Sequence, residues 1–446
     1  MFSVRSKEWS NWSGSVRFRP ERILYPASVE EVAGIIRQVA DENKPIRVVG
    51  SGHSFTPLVP ADILLSLDRL RGLEAVDKER RLVTVRAGTK LKELGELLHG
   101  HGLAQENLGD INAQSIAGAI STGTHGTGTG FCILSTQVAA LTLVNARGKV
   151  VECSPDRNPE LFKAAQVSLG ALGVIVRVTL RVLPRYRLYY RSGRMHLEDC
   201  LNRLDRYRSE HRHFEFYWFP HTDRVQVKFM DETNQEASSG GLGSRFSKWF
   251  LENGAFWLLS ETARRFPRLC PSISRLSAWG VPTVEEVGDS HRLFATPRRV
   301  RFNEMEYALP AEKLAEVVRE IRETIRRRRF AVHFPIECRY VKGDDIWLSP
   351  AYGRDTAFVA VHMYRGMPHE AYFSAVEAIF RRHGGRPHWG KMHSLTAEEL
   401  SRLYPRWDDF CRIRDEQDPE GRFLNTHLRA LFGIPSEQAA ESATAR

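Results

Sequence analysis

Nothing in the 446 residues reads as a membrane span, because no window approaches the roughly eighteen consecutive apolar residues that one requires. The opening Met1–Trp9 lacks the apolar core of a secretory signal, which predicts a cytosolic protein. Cysteine is sparse. The six cysteines, Cys132, Cys153, Cys200, Cys270, Cys338 and Cys411, are scattered without a CxxC pair, which excludes zinc-site spacing and a disulfide-stapled domain. Reduced thiols and no metal site are expected. There is no internal repeat, and with 42% hydrophobic and 26% charged residues the chain is neither disordered nor fibrous. What it does carry is basic charge: 64 Lys and Arg against 54 Asp and Glu leave +10 at pH 7. That excess permits an anionic partner without choosing among phosphates, nucleic acid and acidic lipid.

The length is soft support for two or three domains, and about three-quarters of the unfolded surface can be buried. Ser28 and Glu31 make a capping box that opens an amphipathic helix to about Glu42, with Val32, Ile35, Ile36 and Val39 on one face. Ile46–Val49 reads as a buried strand running into Gly50-Ser51-Gly52-His53-Ser54. Strands follow at Ile63–Leu67 and Leu82–Ala87, then a helix from Leu91 to about His99 closed by Gly100. A hairpin is predicted from Ala139–Val144 and Lys149–Glu152 around Asn145-Ala146-Arg147-Gly148, and another strand over Leu172–Leu183. Beyond Pro184 the character changes to aromatic strands (Phe214–Phe219, Val225–Phe229) and a long basic helix, Glu312–Arg329. A second domain therefore begins near residue 187. Residues 244–275 mix Trp249, Phe250, Phe256, Trp257 and Leu258 with Arg264, Arg265 and Arg268, a composition that suits a core-facing helix with a solvated basic face, a peripheral membrane contact or a protein-partner interface. The tail after Pro435 is expected to be disordered.

Two glycine-rich turns follow strands and can bring backbone N–H groups against a phosphorylated or planar ligand. Gly50–Ser54 lacks the third glycine of a dinucleotide fingerprint and the Gly-Lys-Ser/Thr of a P-loop. Ser115–Gly128 runs fourteen positions in small residues and hydroxyls, a segment that packs poorly unless something lies on it.

Together with Asn11-Trp12-Ser13-Gly14, Ser168–Val174, Phe219–Asp223 and His388-Trp389-Gly390-Lys391, the run Arg47–Thr56 resembles the aldonolactone oxidoreductases of the vanillyl-alcohol oxidase superfamily. The resemblance extends from about residue 9 to about residue 432 and includes the L-gulono-, D-arabinono- and L-galactono-1,4-lactone oxidases and dehydrogenases. It implies an α+β fold: a two-lobed PCMH-type FAD-binding domain (17–186, after an N-terminal segment 1–16), then a substrate or cap domain (187–434) with an antiparallel sheet flanked by helices, and a tail (435–446). It further implies FAD carried covalently, through an 8α bond, on His53. Cofactor contacts would come from Gly50, Ser51, Gly52, Ser54, Ser115, Gly118, Thr122, Gly123, Thr124, His125, Gly126, Val174 and His388.

If Phe334–Arg339 is a strand, Glu337 and Arg339 project from the same face, because side chains alternate with period two. The resemblance places catalytic Glu and Arg in this Glu-x-Arg arrangement and a lysine at the flavin in the position of Lys391. Glu337 would orient the hydroxyl and accept its proton, while Lys391 or Arg339 would stabilise the charge that hydride transfer develops on the flavin. His362 and Asn425 are candidate substrate contacts. The function implied is oxidation of a sugar-derived 1,4-lactone to an ascorbate-like product, with dioxygen or another electron acceptor. An alditol oxidase on the same scaffold is the alternative. Arg326–Arg329 raises nucleic-acid binding, but Glu312, Glu316, Glu320 and Glu323 share that helix and no reader motif is present, so no nucleic-acid partner is expected.

Overall fold

The computed structural model describes residues 3–5, 7–42, 44–238, 242–295 and 300–435. The first lobe is a four-stranded sheet. Its strands are β1 (Ser3–Arg5), β2 (Arg22–Leu24), β3 (Ile46–Val49) and β4 (Ile63–Ser66), in the order β1-β2-β4-β3. Both β2 and β3 run parallel to β4, and a helix makes the crossover from β2 to β3. That helix, α1 (Val29–Glu42), buries Val32, Ile35, Ile36 and Val39, the predicted face. Its entry is capped as expected on one side, with the Glu31 N–H donating to Ser28 Oγ. The Glu31 carboxylate, however, reaches back to the N–H of Ala27.

The second lobe is antiparallel: β5 (Leu73–Asp77), β6 (Leu82–Arg86), β7 (Val138–Val144), β8 (Val150–Cys153) and β9 (Val174–Arg181), in the order β8-β7-β9-β6-β5. The β7–β8 hairpin forms because Asn145 Oδ1 accepts from the N–H groups of Arg147 and Lys149, with Gly148 at φ +68° completing the reversal. The strand expected over Leu172–Leu183 ends at Arg181 and gives way to a separate two-residue pairing of Leu183–Pro184. Helix α2 (Leu91–Gly100) and the short α3 (Ile116–Ser121) cover this lobe.

From residue 187 the chain builds one eight-stranded antiparallel sheet. Its strands are β10 (Arg187–His196), β11 (His213–Trp218), β12 (Arg224–Thr233), β13 (Val284–Asp289), β14 (Phe302–Pro310), β15 (Ile336–Val341), β16 (Thr356–Tyr364) and β17 (Arg386–Pro387). Their order is β13-β10-β12-β11-β15-β16-β14-β17. Helices α4 (Leu242–Arg265), α5 (Cys270–Gly280), α6 (Leu314–Arg328) and α7 (Glu370–Arg382) flank it. Strands β11, β15 and β16 are buried along their whole length and β14 is buried except at its last residue, so both faces are covered. The long basic helix begins with a 3₁₀ turn at Ala311–Lys313, and Arg326 pairs with Glu323 on its solvated face. The tail after Pro435 and the side chains of Trp249 and Phe250 lie outside the described residues. All six cysteines are free.

Histidine burial makes a testable demand. Burial holds His53, His213, His333, His393 and His427 at about 4 and His388 at about 3, against an ordinary 6.5. Between pH 6.5 and 4 the unfolded chain therefore binds more protons than the folded one, and stability rises with pH across that window. Urea midpoints measured from pH 7 to pH 4 should fall steadily below about pH 6.5; a flat profile would show that these imidazoles are not buried in neutral form.

Candidate active site

Strand parity places the charged side chains. In the antiparallel register, Lys228, Glu215 and Arg339 are direct cross-strand partners, as are Tyr217 and Glu337. Glu337 is paired with Ala360, which is paired with Glu306, and His362 lies opposite Glu304. Neighbours across a ladder share a face. Glu215 and Tyr217 on β11, Glu337 and Arg339 on β15, His362 on β16, and Glu304 and Glu306 on β14 thus all point to the same side. The opposite side carries Phe216, Ile336, Cys338, Met305 and Tyr307, all buried in the hydrophobic core.

The polar face is the floor of a cavity of about 750 Å³ including its open mouth. Its remaining walls are Trp12, the turn at His53–Phe55, residues 109–111, Gln114, Thr122, Thr124, His125, His388, Gly390 and Lys391. The sequence-predicted His53, Glu337, Arg339, His362 and Lys391 therefore meet in one place. A second, adjoining cleft of about 970 Å³ is lined by Val48–Ser54, Ser115, Gly118, Thr122, Leu169, Gly170 and Gly173, and shares His53, Ser54, Gln114 and Thr122 with the first. Gly123 and Gly126 shape the adjacent loop without lining either space. Val174 is a core residue between Gly173 and Ile175, which do line the second. Asn425, expected at the substrate, caps a C-terminal helix: its Oδ1 accepts from the Leu428 N–H and its amide donates to the carbonyls of Pro57 and Pro60. It lines neither cavity, and its polar atoms are fully engaged in tying the C-terminal segment to the first lobe.

A buried chain of ion pairs fixes the floor. Lys228 Nζ donates to Glu215 Oε1 at 3.0 Å, and Arg339 Nε donates to Glu215 Oε2 at 2.9 Å. Arg339 also pairs with Glu337 Oε1, which accepts from the Tyr217 hydroxyl at 2.5 Å. Burial, with Glu215 and Glu337 alongside, pushes the Tyr217 phenol far up, so it stays a donor. On the far side of the cavity Lys391 pairs with Glu304 Oε2, while His362 Nε2 stands 3.5 Å from Glu304 Oε1. Burial opposes the charge on Glu304, but Lys391 outweighs it and holds the carboxyl well below its usual range. Glu306 is held at about 2 in the same way: His125, whose Nε2 lies 3.2 Å from it, prevails over burial with help from His388 and Lys391. Sequence reasoning missed Glu215, Lys228, Glu304 and Glu306. The signal was there as charge recurring every second residue inside aromatic strands, at Glu304 and Glu306 above all.

The turn that carries His53 is clasped by the N-terminal segment. Asn11 Nδ2 donates to Ser54 O at 2.9 Å, the Trp12 N–H donates to Gly52 O at 2.8 Å, and the Trp12 ring stacks on the His53 imidazole with centroids 5.7 Å apart. Burial, then Lys391 and Lys90, hold His53 at about 4, so at neutral pH it presents an uncharged ring to the cavity. The residues fit a large, closely approached group. A Cβ on Gly50 would sit 2.4 Å from Ser115 Oγ, and Gly52 turns at φ +66°, so only glycine leaves this cradle open.

Residues 178–431 match the D-arabinono-1,4-lactone oxidase family model, and residues 20–154 match an FAD binding domain. An L-gulono-1,4-lactone dehydrogenase of Mycobacterium tuberculosis is 42% identical over 95% of this chain and 99% of its own. The L-gulonolactone oxidase of Mus musculus is 36% identical over 95% and 98%, and a D-arabinono-1,4-lactone oxidase of Yarrowia lipolytica 32% identical over 93% and 95%. Among solved structures, a cholesterol oxidase from B. sterolicum superposes with a TM-score of 0.80 at 19% identity, covering 97% of each chain, a likeness of fold. The α+β architecture with its large antiparallel second-domain sheet is that fold.

The ion-pair chain predicts its own weak point. Glu215→Ala would strand Lys228 and Arg339 without their shared partner and should cost about 3–5 kcal/mol in urea unfolding, as for a broken buried pair. A loss under about 1 kcal/mol would mean that the two cations are solvated.

Proposed function

The chain belongs to the D-arabinono-1,4-lactone oxidase family, and from that premise we propose that it oxidises the C2 hydroxyl of a sugar-derived 1,4-lactone using FAD bonded to His53. It is an FAD-dependent oxidoreductase of aldonolactones, with a small-molecule lactone as donor and an electron acceptor as second substrate. The observation that carries the finer reading is the meeting of His53, Glu337, Arg339 and Lys391 in one cavity beside a glycine-lined cleft.

FAD, when bound, supplies the hydride acceptor. The protein supplies the rest. Tyr217 and Arg339 both engage Oε1 of Glu337, so Oε2 is the oxygen that takes the substrate's hydroxyl proton. Lys391, steadied by Glu304, and Arg339, steadied by Glu215, hold positive charge in fixed positions on the cavity lining, so that charge needs no reorganisation when the reaction occurs. Carboxylates facing the cavity suit a neutral, polyhydroxylated ring by accepting its hydroxyl hydrogens. Holoenzyme that has been denatured and washed should stay yellow, and His53→Ala should release all of its flavin. Colour retained by the variant would put the attachment elsewhere.

A second contact is favoured by the surface. Of the large hydrophobic side chains exposed among the described residues, all but Val150 lie on α4, α5 and their junction: Trp257, Leu258, Phe266, Leu269, Leu276 and Trp279 (74% exposed), interleaved with Arg264, Arg265, Arg268 and Arg275. Among the described residues no helix is long and apolar enough to cross a membrane. We assign this surface to the headgroup layer of an anionic membrane. In flotation, vesicles containing phosphatidylserine should carry the protein and purely zwitterionic vesicles should not, and Trp257→Ser with Trp279→Ser should abolish the difference. Equal flotation with both vesicles would contradict the assignment.

A further inference from the structure

Oxidising one hydroxyl releases one proton, for which Glu337 suffices, yet the cavity holds a second built acceptor. His362 donates from Nδ1 to the carbonyl of Pro335 at 3.0 Å, and Phe302 packs edge-on against the ring at 4.9 Å. This fixes the tautomer with Nδ1 protonated and leaves Nε2 as a lone pair on the cavity side. Glu304 Oε1, 3.5 Å from Nε2, is too distant for a good hydrogen bond, so the Nε2 lone pair is left to face the cavity. One acceptor atom each from Glu304, Glu337 and His362 lies within 4.8 Å of the others. That spacing suits substituents on neighbouring ring carbons. Both Glu304 and His362 are buried, at 6% and 2% exposure, so neither is a surface residue paired by accident.

Resting on the C2 assignment above, we propose that the same cavity enolises the 2-keto lactone it produces, with His362 as the base that removes the C3 proton. The new carbonyl makes the neighbouring C3–H the most acidic C–H of the product. Nε2 of His362 takes that proton, and the C3–H electron pair becomes the C2=C3 bond. The C2=O π pair receives the proton that Glu337 had taken from the hydroxyl. The step is an isomerisation that needs no oxidant or reductant. It returns Glu337 to its carboxylate and leaves on His362 the one proton the oxidation released, which passes to solvent. The product leaving the site is therefore the enediol, conjugated with the lactone carbonyl, and not the ketone.

Chemically prepared 2-keto-1,4-lactone, added to holoenzyme at mildly acidic pH where enolisation in buffer is slow, reports this step without flavin turnover. The near-ultraviolet absorbance of the enediol should rise about a hundredfold faster than in buffer at saturating enzyme, within the usual range for a positioned general base. His362→Asn, whose amide can still donate to Pro335, should bring the rate back to within a few fold of buffer, with retained flavin absorbance certifying its fold. In single turnover with the lactone, o-phenylenediamine should trap almost no ketone from the wild-type enzyme. A wild-type rate equal to buffer, ketone trapped in amounts equal to the flavin reduced, or full acceleration by the variant would each overturn the proposal. Failure of the lactone-oxidase reading would appear separately, as flavin that no aldonolactone bleaches.

Discussion

Charge buried on a sheet must be paired, and in this protein that constraint organises everything around the cavity. Lys228, Glu215, Arg339 and Glu337 occupy three adjacent strands, and Tyr217 closes the row. A lone ion in this position would neutralise or unfold its surroundings, whereas alternating signs in cross-strand register favour the charged forms of Lys228, Glu215 and Arg339. Rigidity follows. A carboxylate gripped by a guanidinium and a phenol cannot swing, and a lysine gripped by Glu304 cannot retreat to solvent. The sheet thereby keeps acceptors and cations in fixed places before any substrate enters, which is the condition for electrostatic catalysis.

The two domains contribute unlike things to that cavity. The first provides backbone and small side chains: the Gly50–Ser54 turn, the Ser115–Thr122 segment, and glycines at positions where a Cβ would collide. The second provides ionisable groups on a stiff sheet, with Lys391 and His388 returning on the segment after β17. The closing contacts run between them. Phe55 N–H donates to the Gly390 carbonyl at 2.7 Å, and Asn425 ties the C-terminal segment to Pro57 and Pro60. Asn425 is thus a fastening of the two parts.

Much of this was legible in the sequence, for physical reasons. Period-two alternation put Glu337 and Arg339 on one face, the 3.6-residue stripe of Val32, Ile35, Ile36 and Val39 set the first helix, and Asn145 with Gly148 marked the hairpin. What stayed hidden depended on pairing between distant strands. Nothing near Glu215 announces Lys228 thirteen residues on or Arg339 a hundred and twenty-four residues on, because register is a property of the folded sheet. Trp12 stood out within a motif, but its stack on His53 required the N-terminal segment to cross the turn. The surface of exposed Trp257 and Trp279 was half visible as composition, since sequence shows that aromatic residues are present but not which way they face.

Everything described above converges on a cavity suited to a neutral lactone ring and its secondary hydroxyl. Anaerobic mixing of the holoenzyme with L-gulono-1,4-lactone and D-arabinono-1,4-lactone, and separately with alditols, tests it most directly by following flavin absorbance. At least one lactone should bleach the flavin rapidly, and about a hundredfold more slowly in Glu337→Gln, whose amide cannot take the hydroxyl proton. Bleaching by alditols alone, or lactone bleaching untouched by that substitution, would contradict it.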